Sequence, residues 1–170
     1  MKLFLCILCY FTLSHLFQEN YDYIFWSRNC DLSFEDFKGM PVLGSSFDAI
    51  TVAGPDIYYH EVGDEYYIDS VKTIFDCKKS WMKKEAMSDQ LLTHEKIHFD
   101  IAEVFVRELK EKYDSLSILE ITKKETYDKI TSEVMEKKNL MDQEFDKDTN
   151  NGQYHLKQVI WEEKITNLLN

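Results

Sequence analysis

The chain has 170 residues, of which 44% are hydrophobic and 14% aromatic, and this composition excludes intrinsic disorder as its main state. Lys and Arg number 20 against 31 Asp and Glu, so the formal net charge is −11 and binding to nucleic-acid phosphates or anionic lipid is disfavoured. The length is typical of a single domain with a sizeable core.

The first segment is typical of an export signal. Lys2 precedes a short apolar run that ends near Leu13, and polar residues follow from Ser14. The run has the length of a secretory apolar region and is too short to span a membrane. We predict a signal peptide over residues 1–14, reaching to about 18, and an exported protein, periplasmic or secreted, with no membrane span after signal removal. A buried first strand or a short anchor helix is the alternative.

Removal of that signal would leave two cysteines, Cys30 and Cys77. In an oxidising compartment they are a candidate disulfide. Two separate buried thiols are the alternative, because free cysteine is among the most buried residue types.

We expect residues 19–170 to form one domain whose first part, 20–76, is rich in strands. Gly54-Pro55 should stop one short strand, and Gly63-Asp64 should form the turn of a β-hairpin. The predicted strands are 21–26, 50–53, 57–62 and 65–75.

Residues 88–170 have the apolar spacing of helices. Ser88 can cap a helix from about 89 to 113, and Ser117 with Glu120 forms a capping box for a second helix. The polar run 142–152 should end the second helix as a turn, and a third helix covers 156–169. Strands followed by helices indicate an α+β fold: an antiparallel sheet or hairpin region, then a helix with a histidine motif, then two further helices.

The motif that carries chemistry is His94-Glu95-Lys96-Ile97-His98 on the first of these helices. Residues four apart share a helix face, so both imidazoles can bind one zinc ion. Glu95 would reach a metal-bound water and act as its general base. The pattern therefore predicts Zn²⁺ as cofactor, with two surface or core histidines beside a solvated glutamate as the alternative.

A catalytic zinc site needs a third protein ligand and an open position. The second helix offers Glu125, Glu133 and Glu136, and the predicted turn offers Asp146, Asp148 and His155. Any of these acids could also be an ordinary solvated charge, because the chain has 31 acidic residues.

The run 91–103 resembles the signature of the domain of unknown function 922 family. Three further stretches agree with that family: 32–41, which contains a D-F-x-G-x-P turn, 75–81, and 145–161, which ends on Gln158 and Trp161. The resemblance implies export, zinc and a protease-like activity on peptide or protein substrates.

The chain departs from the family pattern at two positions, where Asn151 replaces a histidine and Phe145 a tyrosine. Asp146 or His155 would then complete the zinc site. These residues predict a secreted or periplasmic zinc-dependent metallopeptidase-like hydrolase, with Glu95 as base. The alternative is a catalytically inactive exported binding or structural module that retains the fold, and Asn151 and Phe145 are the features that favour it.

Overall fold

The computed structural model describes residues 22–170. Within these residues, five strands precede three helices, and two short 3-10 turns, Phe34–Asp36 and Lys84–Ala86, lie between strands or before the first helix. The strands are β1 Tyr23–Phe25, β2 Ala49–Ile50, β3 Ala53–Val62, β4 Glu65–Asp76 and β5 Trp81–Met82. The helices are α1 Asp89–Ile118, α2 Lys124–Thr149 and α3 His155–Leu169.

The α+β prediction is confirmed, because an antiparallel sheet precedes the three helices. Strands β1, β4 and β3 form one sheet in that order, and β2 pairs with β5 in a second, two-stranded sheet. The hairpin prediction is also confirmed, since β3 and β4 pair along their length and Gly63 takes the left-handed backbone of the turn, with φ of 63°.

Gly54 and Pro55 do not stop a strand, so the prediction of a strand ending at residue 53 is wrong. β3 begins at Ala53 and runs through both residues, with Pro55 opposite Thr73 of β4. β3 is an edge strand, and proline is tolerated there because its missing N–H can face away from the ladder.

Both predicted ends of the second helix are wrong. Ser117 lies in the last turn of α1, and Glu120 has a left-handed backbone, φ of 54°, in the connection that follows. α2 begins after Lys123, which caps it without a side-chain hydrogen bond, and continues to Thr149 through most of the predicted turn. Asp142 and Asp146 therefore lie on a helix.

Two apolar clusters hold these elements together. The larger lies between α1, α2, α3 and the sheet, and it includes the fully buried Ile101, Leu109, Phe145 and Ile165. The smaller lies under the other end of the sheet, where Phe75 of β4 meets Phe99 of α1 and the segment around Leu32. Because α1 contributes to both clusters, the helix that carries the histidines is fixed on both sides.

Cys30 and Cys77 are free thiols and both contact the smaller cluster. Burial raises the pKa of each thiol. The signal peptide predicted at residues 1–14 lies outside the described residues. Among the helices of residues 22–170, none combines the length and the apolar character that a membrane span requires.

Candidate metal centre

His94 and His98 lie one turn apart on α1, and their rings converge. Their Nε2 atoms are 3.2 Å apart, with the ring planes at 87° to each other. Oδ1 of Asp146, from α2, lies 3.0 Å from each of these nitrogens. The packing of α1 against α2 thus brings together three residues that the sequence nominated as metal ligands.

The three atoms fit a zinc ion in both chemistry and spacing. Zinc binds imidazole nitrogen and carboxylate oxygen at about 2.0–2.2 Å in tetrahedral sites, which places ligand atoms about 3.3 Å apart. The observed separations are 3.0–3.2 Å. Two imidazoles and one carboxylate also leave a fourth position, as catalytic zinc sites do. Zinc at this cluster stays a prediction.

Asp142 orients His98. Its Oδ1 lies 2.8 Å from His98 Nδ1, and its Oδ2 lies 2.8 Å from Lys138 Nζ on the same helix. Nδ1 of His98 thus faces Asp142, whereas Nε2 faces His94 and Asp146. A carboxylate in this position sets the tautomer and the direction of a metal-binding imidazole.

His94 is held by packing. Its ring stacks on Phe145, with centroids 4.4 Å apart and planes at 21°. Gly152 also lies against it, and a Cβ at this glycine would be 3.0 Å from His94 Cγ. Nδ1 of His94 is buried and has no hydrogen-bond partner among the described residues. The two histidines are therefore positioned by different forces.

The acidic neighbours change the protonation of the cluster. Burial lowers the pKa of His98, but its hydrogen bonds with Asp142 and Asp146 outweigh burial and raise that pKa to about 10. Burial raises the pKa of Asp146, whereas hydrogen bonds with His94 and His98 hold it well below its usual range. A protonated His98 balances an ionised Asp146, and a cation bound there competes with that proton.

Glu95 lies beside the cluster and is only 3% exposed. Burial raises the pKa of its carboxyl group, although the charges of His98 and His94 oppose the shift. Its Oε2 is buried without a hydrogen-bond partner among residues 22–170. An unpaired buried carboxylate oxygen is costly, so its position calls for a partner such as a water molecule.

One cavity of about 190 Å³ connects these groups. His94, Glu95, His98, Asp142 and Asp146 form its helical side. Residues 46–51 form the facing side, and Leu91, Asn151 and Gln153 complete the lining. The cluster is thus accessible to a small molecule or to part of a larger one.

The other candidate ligands lie elsewhere. His155 is the first residue of α3 and lines a separate pocket with Gln90 and Thr93. Asp148 accepts a hydrogen bond from Trp161 Nε1 at 3.2 Å. Three acids on the first part of α2 are exposed, namely Glu125, Glu133 and Glu136.

Asn151, which the sequence resemblance predicts to replace a histidine, lines the cavity. Its backbone is left-handed, with φ of 51°, and its side chain makes no hydrogen bond within the described part of the chain. Phe145 is fully buried against His94, so its ring serves packing.

Sequence reasoning missed Asp142 and Gly152. A signal for Asp142 was present, because Asp142 and Asp146 are four apart and repeat the spacing of His94 and His98. Gly152 was visible only as a turn residue, since its contact with His94 joins distant parts of the chain.

A family model described as "Bacterial protein of unknown function (DUF922)" matches residues 70–153. The match runs from β4 through α1 and α2 and includes every residue of the cluster. No curated protein and no solved structure matches the chain. The description of the family states no activity. The resemblance found in the sequence is confirmed, because residues 70–153 of this chain belong to the bacterial family DUF922.

Proposed function

We propose that this protein is an exported zinc-dependent hydrolase that cleaves peptide bonds. One observation carries the proposal: His94 Nε2, His98 Nε2 and Asp146 Oδ1 converge within 3.0–3.2 Å beside the unpaired, buried Oε2 of Glu95. Such a set would hold zinc through three protein ligands with one position left open.

Zinc bound there would supply a Lewis acid that lowers the pKa of a water molecule to about 7. Glu95 would accept the proton of that water as it attacks a carbonyl carbon. The raised pKa of Glu95 makes it a stronger base than a solvated glutamate and allows it to pass the proton to the leaving amine. Its burial keeps bulk water from that proton.

The residues around the ligands support the same assignment. Asp142 holds His98 through Nδ1, which leaves Nε2 free for a metal. Phe145 and Gly152 hold the ring of His94 by contact. Both histidines are thereby held in orientations that suit a catalytic site.

The test combines metal content with peptide cleavage. We expect about one zinc per purified chain by elemental analysis, and cleavage of a fluorescence-quenched peptide library that stops when a chelator is added and returns with zinc. Glu95→Gln should bind zinc equally and lose cleavage, because glutamine cannot accept the proton. Turnover by Glu95→Gln would contradict its role as base. If the chain did not bind zinc on refolding, the hydrolase proposal would be wrong, and the inactive module would be the remaining hypothesis.

A further inference from the structure

The loop of residues 40–47 holds apolar side chains in solvent beside the cavity. Met40, Val42 and Leu43 are 89%, 62% and 101% exposed. Phe47 is 46% exposed and lines the cavity itself. Phe47 therefore places one end of this exposed apolar loop at the site of the proposed chemistry, and exposed apolar surface beside a cavity is typical of binding sites.

The loop is fixed at both ends. At its start, Gly39 N donates to Ser80 O at 2.8 Å, and the backbones are so close that a Cβ on Gly39 would lie 2.7 Å from that oxygen. At its end, Lys83 Nζ donates to Ser45 O at 3.0 Å, and Lys83 N donates to Asp48 O at 2.8 Å. The apolar side chains are thus presented by an anchored loop, which lowers the entropy cost of binding.

The cavity wall beyond the loop indicates what kind of molecule binds. Six consecutive residues, 46–51, line the cavity, and they include both residues of β2. The cavity therefore runs along β2 and the residues that flank it. Strand β2 pairs with β5 along one edge, and no strand within residues 22–170 pairs with the other. Such an edge offers hydrogen bonds to an added extended chain.

We propose that the substrate is an extended, unfolded polypeptide segment rich in apolar residues, which lies along residues 46–51 and packs side chains against Met40, Val42 and Leu43. Its cleavage rests on the proposed function, whereas its binding does not. The net charge of −11 opposes anionic lipid and a second copy of this chain as occupants of the loop.

The test measures peptide binding without cleavage. In the Glu95→Gln background, fluorescence anisotropy compares two labelled peptides of equal length and zero net charge, one rich in Leu, Val and Met and the other in Ser and Gly. Val42→Ser with Leu43→Ser removes part of the loop surface. The matched control is Ile118→Ser with Leu119→Ser, which removes similarly exposed residues about 30 Å along α1 from His98.

We expect the apolar peptide to bind at least tenfold tighter than the polar one, and the loop variant to lose about tenfold in affinity for it while the control loses none. Equal binding by the loop variant would overturn the inference. The inference would also be overturned if sedimentation showed a dimer that dissociates only in the loop variant. A second copy of the chain would then be the occupant of the loop.

Zinc-loaded chain with an intact Glu95 then separates the two proposals. Peptide binding without cleavage would contradict the proposed hydrolase activity and would support the proposed peptide-binding site. Cleavage with KM unchanged in the loop variant would keep the hydrolase and overturn the substrate inference. A raised KM at unchanged kcat and zinc content would support both.

Discussion

The two walls of the cavity are built in opposite ways. The helical wall places charged groups on two long helices and holds them in a hydrogen-bonded cluster around His98. The facing wall, called the strand wall below, consists of the two-residue strand β2 and the loop before it. The apolar side chains of that loop are exposed. Under the two proposals, the walls would have different tasks: the rigid helices would fix groups that need sub-ångström positions, and the edge with its loop would offer surface to a flexible partner.

A second contrast lies within the helical wall. His98 is held through a chain of charges, from Lys138 to Asp142 to its ring. His94 is held by the faces of Phe145 and Gly152, and its buried Nδ1 makes no hydrogen bond within residues 22–170. Changes to charge should therefore affect the site through His98, and changes to shape should affect it through His94.

The largest effect is expected from Asp142→Asn, which tests the anchor of His98. The amide keeps the shape of the carboxylate but loses its charge, so His98 becomes a poorer ligand. Zinc affinity should fall by about 10–100-fold, as for other partners that orient a metal-binding histidine. Competition with a fluorescent zinc chelator measures this change.

Asp128→Asn is the matched control, because Asp128 pairs with Lys124 on the same helix at 2.8 Å and touches no histidine. It should leave zinc affinity unchanged. Equal losses in the two variants would mean that the charge of α2, and not the contact with His98, sets the affinity.

Gly152→Ala tests the packing of His94. The new Cβ would lie 3.0 Å from His94 Cγ, and the backbone has a left-handed φ of 81°. The strained backbone should lower the free energy of unfolding by about 1–2 kcal/mol, and the displaced ring should lower zinc affinity by about tenfold. Urea unfolding and the chelator assay measure the two effects separately.

Gly63→Ala separates backbone strain from ring displacement. Gly63 has a similar left-handed φ of 63°, but no atom lies within 4 Å of a Cβ built on it. The control should lose stability and keep its zinc affinity. A variant at Gly152 that behaved in the same way would show that the contact does not position His94.

The helical wall was only half predictable from the sequence. His94 and His98 belong to one helical turn, so their spacing alone predicts a shared face. Asp146 was nominated, but in a turn, because the polar run around it has the composition of a loop. The helix continues there because Phe145 and Thr149 are buried and because Asp142 and Asp146 both hydrogen-bond with His98 of α1. His98 lies far away in the sequence, so these contacts leave no local signal.

The strand wall was predicted less well. Its strands β2 and β5 have two residues each, which is too short for alternation to identify them. Their pairing depends on contacts with the turn after β4, where Ser80 Oγ accepts a hydrogen bond from Val52 N at 2.9 Å. The position of the wall is therefore set by tertiary contacts that the sequence does not display.

The smallest predicted effect tests that turn. Asp76 is 6% exposed, and its Oδ1 accepts hydrogen bonds from the backbone of Lys78 and Lys79 at 3.1 and 3.0 Å. Burial raises its pKa, but its bonds with Lys79 and Lys78 outweigh burial and lower it. A lowered pKa stabilises the fold above the unfolded value of about 3.9, and this stabilisation is lost as the pH falls through the folded value.

Asp76→Asn should therefore lower the free energy of unfolding by about 1 kcal/mol at pH 7, and the difference from wild type should shrink below about pH 3. Urea unfolding at the two pH values measures it, with Asp69→Asn as a half-exposed control on the same strand. Zinc affinity should not change, because the carboxylate of Asp76 bonds Lys78 and Lys79 and not a histidine. A loss of zinc affinity would show that the turn at Asp76 is coupled to the metal cluster, either through the strand wall or through the contact of Phe75 with Phe99 of α1.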